Sequence, residues 1–347
     1  MIWLTWRQFR TQAVVVAAGL SAFAILLLVT GPHLVTLYRQ SAFGTCRSNC
    51  GASAVSFLNA LGQDTTYRLV YILGAALVIL LPAVIGLFWG APLISRELET
   101  GSFRLAWNQS VTRERWLAVK LGILGLASMA AAGLISLILG WWASPIDHAA
   151  TLGSAAGFQI RFFPALFGAR GIAPIGYAAF AFALGVLVGV IVRRTVPAMA
   201  ITLAVFAAVQ IVMPLAIRPH LMTPVRGTTA VTASVIQGLG TTNGSGGQLS
   251  VFAAAPNLPG AWIYSNQVVT ASGSTSIGSV PQACQSISPQ GFQSCATALA
   301  QMHLKQVVVY QPADRYWTFQ WLELGIFLTV AVLLAWGCFW WVRRRLS

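Results

Sequence analysis

Charged side chains are rare in this chain, and they gather in one place. Residues 93–116, "LISRELETGSFRLAWNQSVTRERW", hold Glu97, Glu99 and Glu114, three of its seven acidic residues. The same window holds Arg96, Arg104, Arg113 and Arg115. A helical reading puts Arg96, Glu99 and Ser102 near one face, with Gly101 turning the chain. Ser110 or Thr112 then supplies an N-cap for a second helix whose first turn carries Glu114. Carboxylates interleaved with guanidiniums make a mixed-sign surface suited to docking another protein. A helix lying on a membrane would be rich in Lys and Arg and hold few acids. A merely solvated connector is the alternative.

Patterns for catalysis are missing. No G-x-x-x-x-G-K-[ST] phosphate loop occurs; "GTTNGSGG" lacks the Lys and the strand–helix setting. No HExxH occurs, so no metal site is expected. "CGASAV" offers a Ser among small residues, but His33, His148, His220 and His303 all lie outside the long apolar runs, so no base is near. Those runs also lack the paired carboxylates of a proton relay or an intramembrane hydrolase. Two polar residues remain, Gln210 within the fifth run and Glu323 at the start of the sixth. Intramembrane polar groups are functional candidates, and both are weak candidates for a substrate pathway. The structural alternatives are an interhelical hydrogen bond for Gln210 and an ion pair for Glu323, near Asp314 and Arg315.

The elements that position these groups follow from composition. The chain has 347 residues, 57% hydrophobic and 8% charged, with mean hydropathy +0.74. A soluble domain carries about 25% charge, so this is an integral membrane protein. The net charge of +14 does not point to nucleic acid, because the basic residues flank apolar runs instead of forming one stripe. Spanning takes about 20 apolar residues, and six runs qualify: 12–31, 69–92, 117–141, 171–192, 197–217 and 321–342. The first is too long for a cleaved signal and reads as a span that stays. Lys and Arg are densest in the segments that fall on one side if the N-terminus is cytoplasmic. Both termini and residues 93–116 are therefore expected inside, in the cell membrane. Pro82, Pro174 and Pro214 interrupt spans two, four and five and predict kinks.

Residues 1–11, "MIWLTWRQFRT", are too short to span; Ile2, Trp6 and Phe9 share one helical face. They read as an amphipathic elbow helix on the inner leaflet, or equally as a positive-inside anchor. Residues 12–217 hold spans one to five, residues 321–347 span six and a basic tail. The longest outer segment, 218–320, contains "AWIYSNQVV" and "LKQVVVY", which read as strands, around a flexible "GTTNGSGGQLS". A partly β extracytoplasmic domain is expected there, on an otherwise all-α polytopic fold. Cys46, Cys50, Cys284 and Cys295 fall in outer segments, where local pairing, Cys46–Cys50 and Cys284–Cys295, is favoured in an oxidising setting; four reduced thiols are the alternative.

"RELETGSFRLAWNQSVTRERW" resembles the cytoplasmic loop of type-2 ABC exporter permeases. Arg96, Glu97, Glu99, Gly101, Ser102, Leu105, Ser110, Thr112 and Arg113 carry the match, with Ser102 where Thr is commoner. The likeness extends to the elbow, the six spans, the short "RRTV" hairpin and the long outer segment. The closing "YQPADRYWTFQWLELGIFL…WWVRRRLS" resembles the ends of actinobacterial members. The resemblance implies a permease subunit without enzyme activity or cofactor of its own, paired with a second permease copy, identical or not. Separate ATPase subunits would bind ATP and Mg and dock on the loop, Glu114 included, as a coupling helix. Spans one, two and five would line the path, making Gln210 a pathway candidate. A non-transporting complex that passes ATP hydrolysis to the outer domain, for signalling or cell-wall regulation, is the alternative.

Overall fold

The computed structural model describes residues 2–101, 112–153, 155, 157–241, 249–275, 277, 281–284 and 289–345. Ser102, Arg104, Leu105 and Ser110 of the charged window lie outside the described residues. The chain divides into two units. One comprises Met1–Leu221 with Tyr316–Ser347, the other Met222–Arg315.

Six helices of the first unit are long and apolar enough to cross a membrane: Val14–Gln40, Thr65–Thr100, Glu114–Leu152, Ala173–Val192, Thr195–His220 and Ala313–Arg344. They match the six apolar runs in order but are mostly longer. The third helix covers Arg113–Leu152, 40 residues, or about 60 Å at 1.5 Å per residue. That is twice the hydrocarbon thickness, so the helix outlasts its apolar stretch. Much of the expected outer loop 142–170 is accordingly helix. Residues 32–68, likewise expected outside, are also mostly helical, with span one reaching Gln40 and a further helix, the outer-segment helix, over Gly51–Gln63.

Two expectations change. A separate elbow over residues 1–11 is not formed: Ile2–Gln40 is one helix, and no Gly or Pro stands before Gly19 to break it. Pro174 does not interrupt span four. It sits in the first turn of Ala173–Val192, where the missing N–H costs no hydrogen bond. Pro82 lies inside Thr65–Ile85, and a π-helical turn, Gly86–Gly90, follows. Pro214 lies within a second π turn, Met213–Ile217. Such turns absorb a local misfit in the helical ladder.

Span four is the centre of the bundle. In its most apolar window 72% of residues are buried, against 11% in span one and 17% in span five. Val15, Leu126, Val196, Leu215 and Val332 are exposed, as lipid-facing side chains must be where no water competes for them. Gln320 of span six ties the start of span four down. Its carbonyl oxygen accepts from the N–H groups of Ile172 and Ala173, at 3.0 and 2.8 Å. Its amide nitrogen donates to the Arg170 carbonyl at 3.1 Å. An orphan helix N-terminus is thereby satisfied inside the bundle.

The second unit has its own core, which includes Val231, Ile236, Leu249, Val251, Cys295 and Leu299. Strands β1 (Val225–Ala230), β5 (Lys305–Gln311) and β4 (Trp262–Val269) form an antiparallel sheet in the order β1-β5-β4. Strands β2 (Ile236–Thr241) and β3 (Leu249–Ala253) pair separately. The two segments read as strands are β4 and β5. The disulfide Cys284–Cys295 staples the helix Pro289–Gln301, and Cys46–Cys50 closes the turn before the outer-segment helix of the first unit. The unit is narrower than 218–320. Arg218 belongs to the membrane unit, and residues 316–320 already form span six.

Candidate functional site

The charged window begins on a short helix, Pro92–Thr100. Pro92 supplies a preset first turn, and Gly101 ends the helix in a left-handed conformation, φ 71°, that other residues adopt at a cost. This loop helix extends span two through the π turn Gly86–Gly90. Both segments lie against span four with almost no side chain between. A Cβ on Gly185 would come within 2.4 Å of the Gly86 carbonyl oxygen, and one on Gly189 within 2.4 Å of the Ala91 carbonyl oxygen. "GLFWG" (86–90) and "GVLVG" (185–189) thus form a small-residue seam between the two helices.

The three glutamates each bond within the chain. Glu97 pairs with Lys120 of span three; both side chains are largely buried, and the Lys120 ammonium stands 4.6 Å from the centre of the Trp116 ring. Glu99 accepts from Thr195, at 2.9 Å from its N–H and 2.6 Å from its hydroxyl. Thr195 opens span five, so a carboxylate from the loop caps that helix where its N–H groups are unpaired. Buried Ser95 adds a contact, its hydroxyl 3.1 Å from that of Thr195. Glu114 lies in the first turn of span three behind its N-cap, Thr112, whose hydroxyl accepts from the Arg115 N–H at 3.3 Å. It pairs with Arg343 near the end of span six at 2.7 Å, both side chains more than half exposed.

Glu97 and Glu99 are both bonded within the chain, Glu97 largely buried against span three and Glu99 still exposed. Arg96 points outward and is exposed. Ser102 and the Arg113 side chain lie outside the described residues. Gly101 acts as the stop of the loop helix. Lys120 and Thr195 were not singled out in the sequence; the only local signal was a lone Lys within an apolar run.

The two intramembrane candidates are not brought together. Glu323 is fully buried and forms a two-point ion pair with Arg218, at 2.9 Å to Nε and 3.0 Å to Nη2. Tyr177 of span four donates its hydroxyl to the same carboxylate. Arg218 also donates to the Pro164 carbonyl at 3.0 Å and lies 4.2 Å from the Phe167 ring centre. Glu323 is therefore a saturated joint between spans four, five and six, and its partner is Arg218, not Arg315. Gln210 is half-buried, eight residues before Arg218, about 12 Å along the helix. A fourth ion pair, Arg170–Asp147 at 3.1 Å, holds the far end of span three. Among the described residues no group of three or more metal-ligating side chains occurs.

A family model described as ABC-2 membrane transporter related matches residues 17–218, more than half of the chain. The matched stretch contains nearly all of spans one to five, with the loop helix and the Thr195 contact. No curated protein matches, and no solved structure matches.

Proposed function

Because the chain belongs to the ABC-2 membrane transporter related family, and so is a multi-pass membrane component of an ABC transporter associated with ATPase partners, we propose that it is an exporter permease. It pairs with a second permease copy in the cell membrane, with both termini cytoplasmic. ATP and Mg are bound by separate subunits, and this chain performs no hydrolysis. The loop helix Pro92–Thr100 with the following residues is the point where an ATPase subunit pushes.

One observation carries the coupling role: the loop helix is bonded to two other spans, to three through Glu97–Lys120 and to five through Glu99–Thr195. A force on a helix tied at one point would bend it. Tied at several, and seated on span four by glycine contacts, the helix passes the force on as movement of the group. Exposed Arg96 is one side chain available to meet the ATPase, and the Glu97 and Glu99 bonds set the geometry of the helix that carries it.

The test uses the full chain purified with its ATPase subunits in nanodiscs. Cysteine in place of Arg96 should crosslink to the ATP-hydrolysing subunit. Glu99→Ala should leave that subunit bound while the permease no longer alters its hydrolysis rate. Failure of the Arg96 crosslink, with hydrolysis intact, would sink the docking assignment. The separate compact unit Met222–Arg315, with a core of its own, supports a second reading, in which hydrolysis moves that unit and nothing is transported. Removal of 222–315 should leave ATP-driven transport in an exporter and abolish the output of a mechanotransmitter.

A further inference from the structure

The end of the membrane unit where span two begins encloses a cavity that none of these contacts uses. Its volume is about 410 Å³, within the range of small-molecule sites. Leu37 of span one, Ser56, Phe57 and Leu61 of the outer-segment helix, and Asp64 and Tyr67 at the start of span two line it. Phe57, Leu61 and Tyr67 are buried, whereas Asp64 and Ser56 are exposed. The cavity thus has an apolar, aromatic floor and a polar mouth.

The polar groups of the lining are not equivalent. Ser41 and Ser53 turn their hydroxyls onto backbone carbonyls of Tyr38 and Cys50, at 2.6 and 2.9 Å. Asp64 spends one carboxylate oxygen on the Thr66 N–H, 2.8 Å away. Among the described residues no cation forms an ion pair with it. Arg39, Arg47 and Arg68 do not line the cavity. The wall is built to hold its shape. The outer-segment helix is anchored by buried Ala54, Phe57, Leu58 and Leu61, and the Cys46–Cys50 disulfide closes the turn before it.

We propose that this cavity binds an organic cation with an apolar body, an alkyl- or arylammonium. The ammonium meets Asp64 at the mouth, and the apolar body lies against Phe57, Leu61 and Tyr67. A soluble ammonium compound and a lipid with an ammonium headgroup share this chemistry. The site does not depend on the exporter reading and makes no claim about cargo.

Benzyltributylammonium is the probe, titrated by calorimetry onto the full chain in phosphatidylglycerol nanodiscs. Asp64→Asn keeps the cap on Thr66, since Asn caps as well as Asp, and removes only the charge. Binding should weaken roughly tenfold or more, as loss of a charged contact does. Ser56→Trp fills the cavity and should abolish binding. Absence of binding to the unaltered chain, or unchanged affinity in either variant, overturns the proposal. Partial replacement of the lipid by phosphatidylethanolamine separates the sources. Competition identifies a lipid headgroup, and an unchanged titration identifies a soluble cation.

Discussion

Thr195 gives both its N–H and its hydroxyl to a single side chain, Glu99, at 2.9 and 2.6 Å. The two residues are 96 positions apart and belong to different spans. A loop glutamate therefore completes the first turn of span five, a turn whose own residues cannot satisfy its N–H groups.

Glu99→Ala should quicken amide exchange at Thr195, Val196 and Ala198 severalfold and leave span four, residues 173–192, unchanged. Adding Thr195→Val should do little more, because the shared bond is already gone. Hydrogen exchange with mass spectrometry reads both. Equal protection in Glu99→Ala would show that span five is capped some other way.

Lys120→Met strands Glu97 without its ion partner in a mostly buried setting. The cost is about 3–5 kcal/mol, read as a lower unfolding temperature in detergent. Lys120→Met with Glu97→Gln should regain much of that loss, because a neutral pair needs no compensating charge. If the double variant is as unstable as the single one, the pair is not the source of the effect.

Gly185→Ala and Gly189→Ala place a methyl 2.4 Å from a backbone oxygen. Backbone does not yield as a side-chain end does, so spans two and four must part and stability must fall. Gly19→Ala meets nothing within 4 Å and should be neutral or stabilising by up to about 1 kcal/mol. Thermal unfolding of the three variants side by side decides it; equal behaviour would refute the glycine seam.

Arg218→Met removes the cation beside fully buried Glu323. Unfolding should be facilitated by about 3–5 kcal/mol. Arg218→Met with Glu323→Gln should restore most of the stability and any transport activity. Transport that stays lost in a stable double variant would return Glu323 to the substrate pathway.

What was legible depended on how far apart the partners are. Six spans show in composition because crossing hydrocarbon needs a run of apolar residues, whatever the neighbours. Strands β4 and β5 show because β-branched residues cluster in "YSNQVV" and "KQVVVY". Helix ends do not show, since Arg113–Leu152 continues past its expected span on tertiary contacts, with Trp142, Ile146 and Ala149 buried and Asp147 paired with Arg170. The seam of "GLFWG" against "GVLVG" was readable as two small-xxx-small patterns, although neither names its mate. Cys46–Cys50 and Cys284–Cys295 were anticipated because each pair is close in sequence.

Sequence alone determined the membrane class, the number of spans, the β-bearing segment between spans five and six, and the place where charge collects. These are sums over neighbouring residues, and lipid enforces them without reference to topology. Tertiary structure decided what the charge does. Glu97 reaches Lys120, 23 residues on, Glu99 reaches Thr195, and Glu323 reaches back to Arg218 across 105 positions. A carboxylate in a bundle must find a partner or lose the stabilising charge, and which partner it finds is set by how helices lie side by side. No local pattern encodes that. The loop's glutamates therefore read only as a mixed-sign surface until the fold supplied Lys120, Thr195 and Arg343 as their partners.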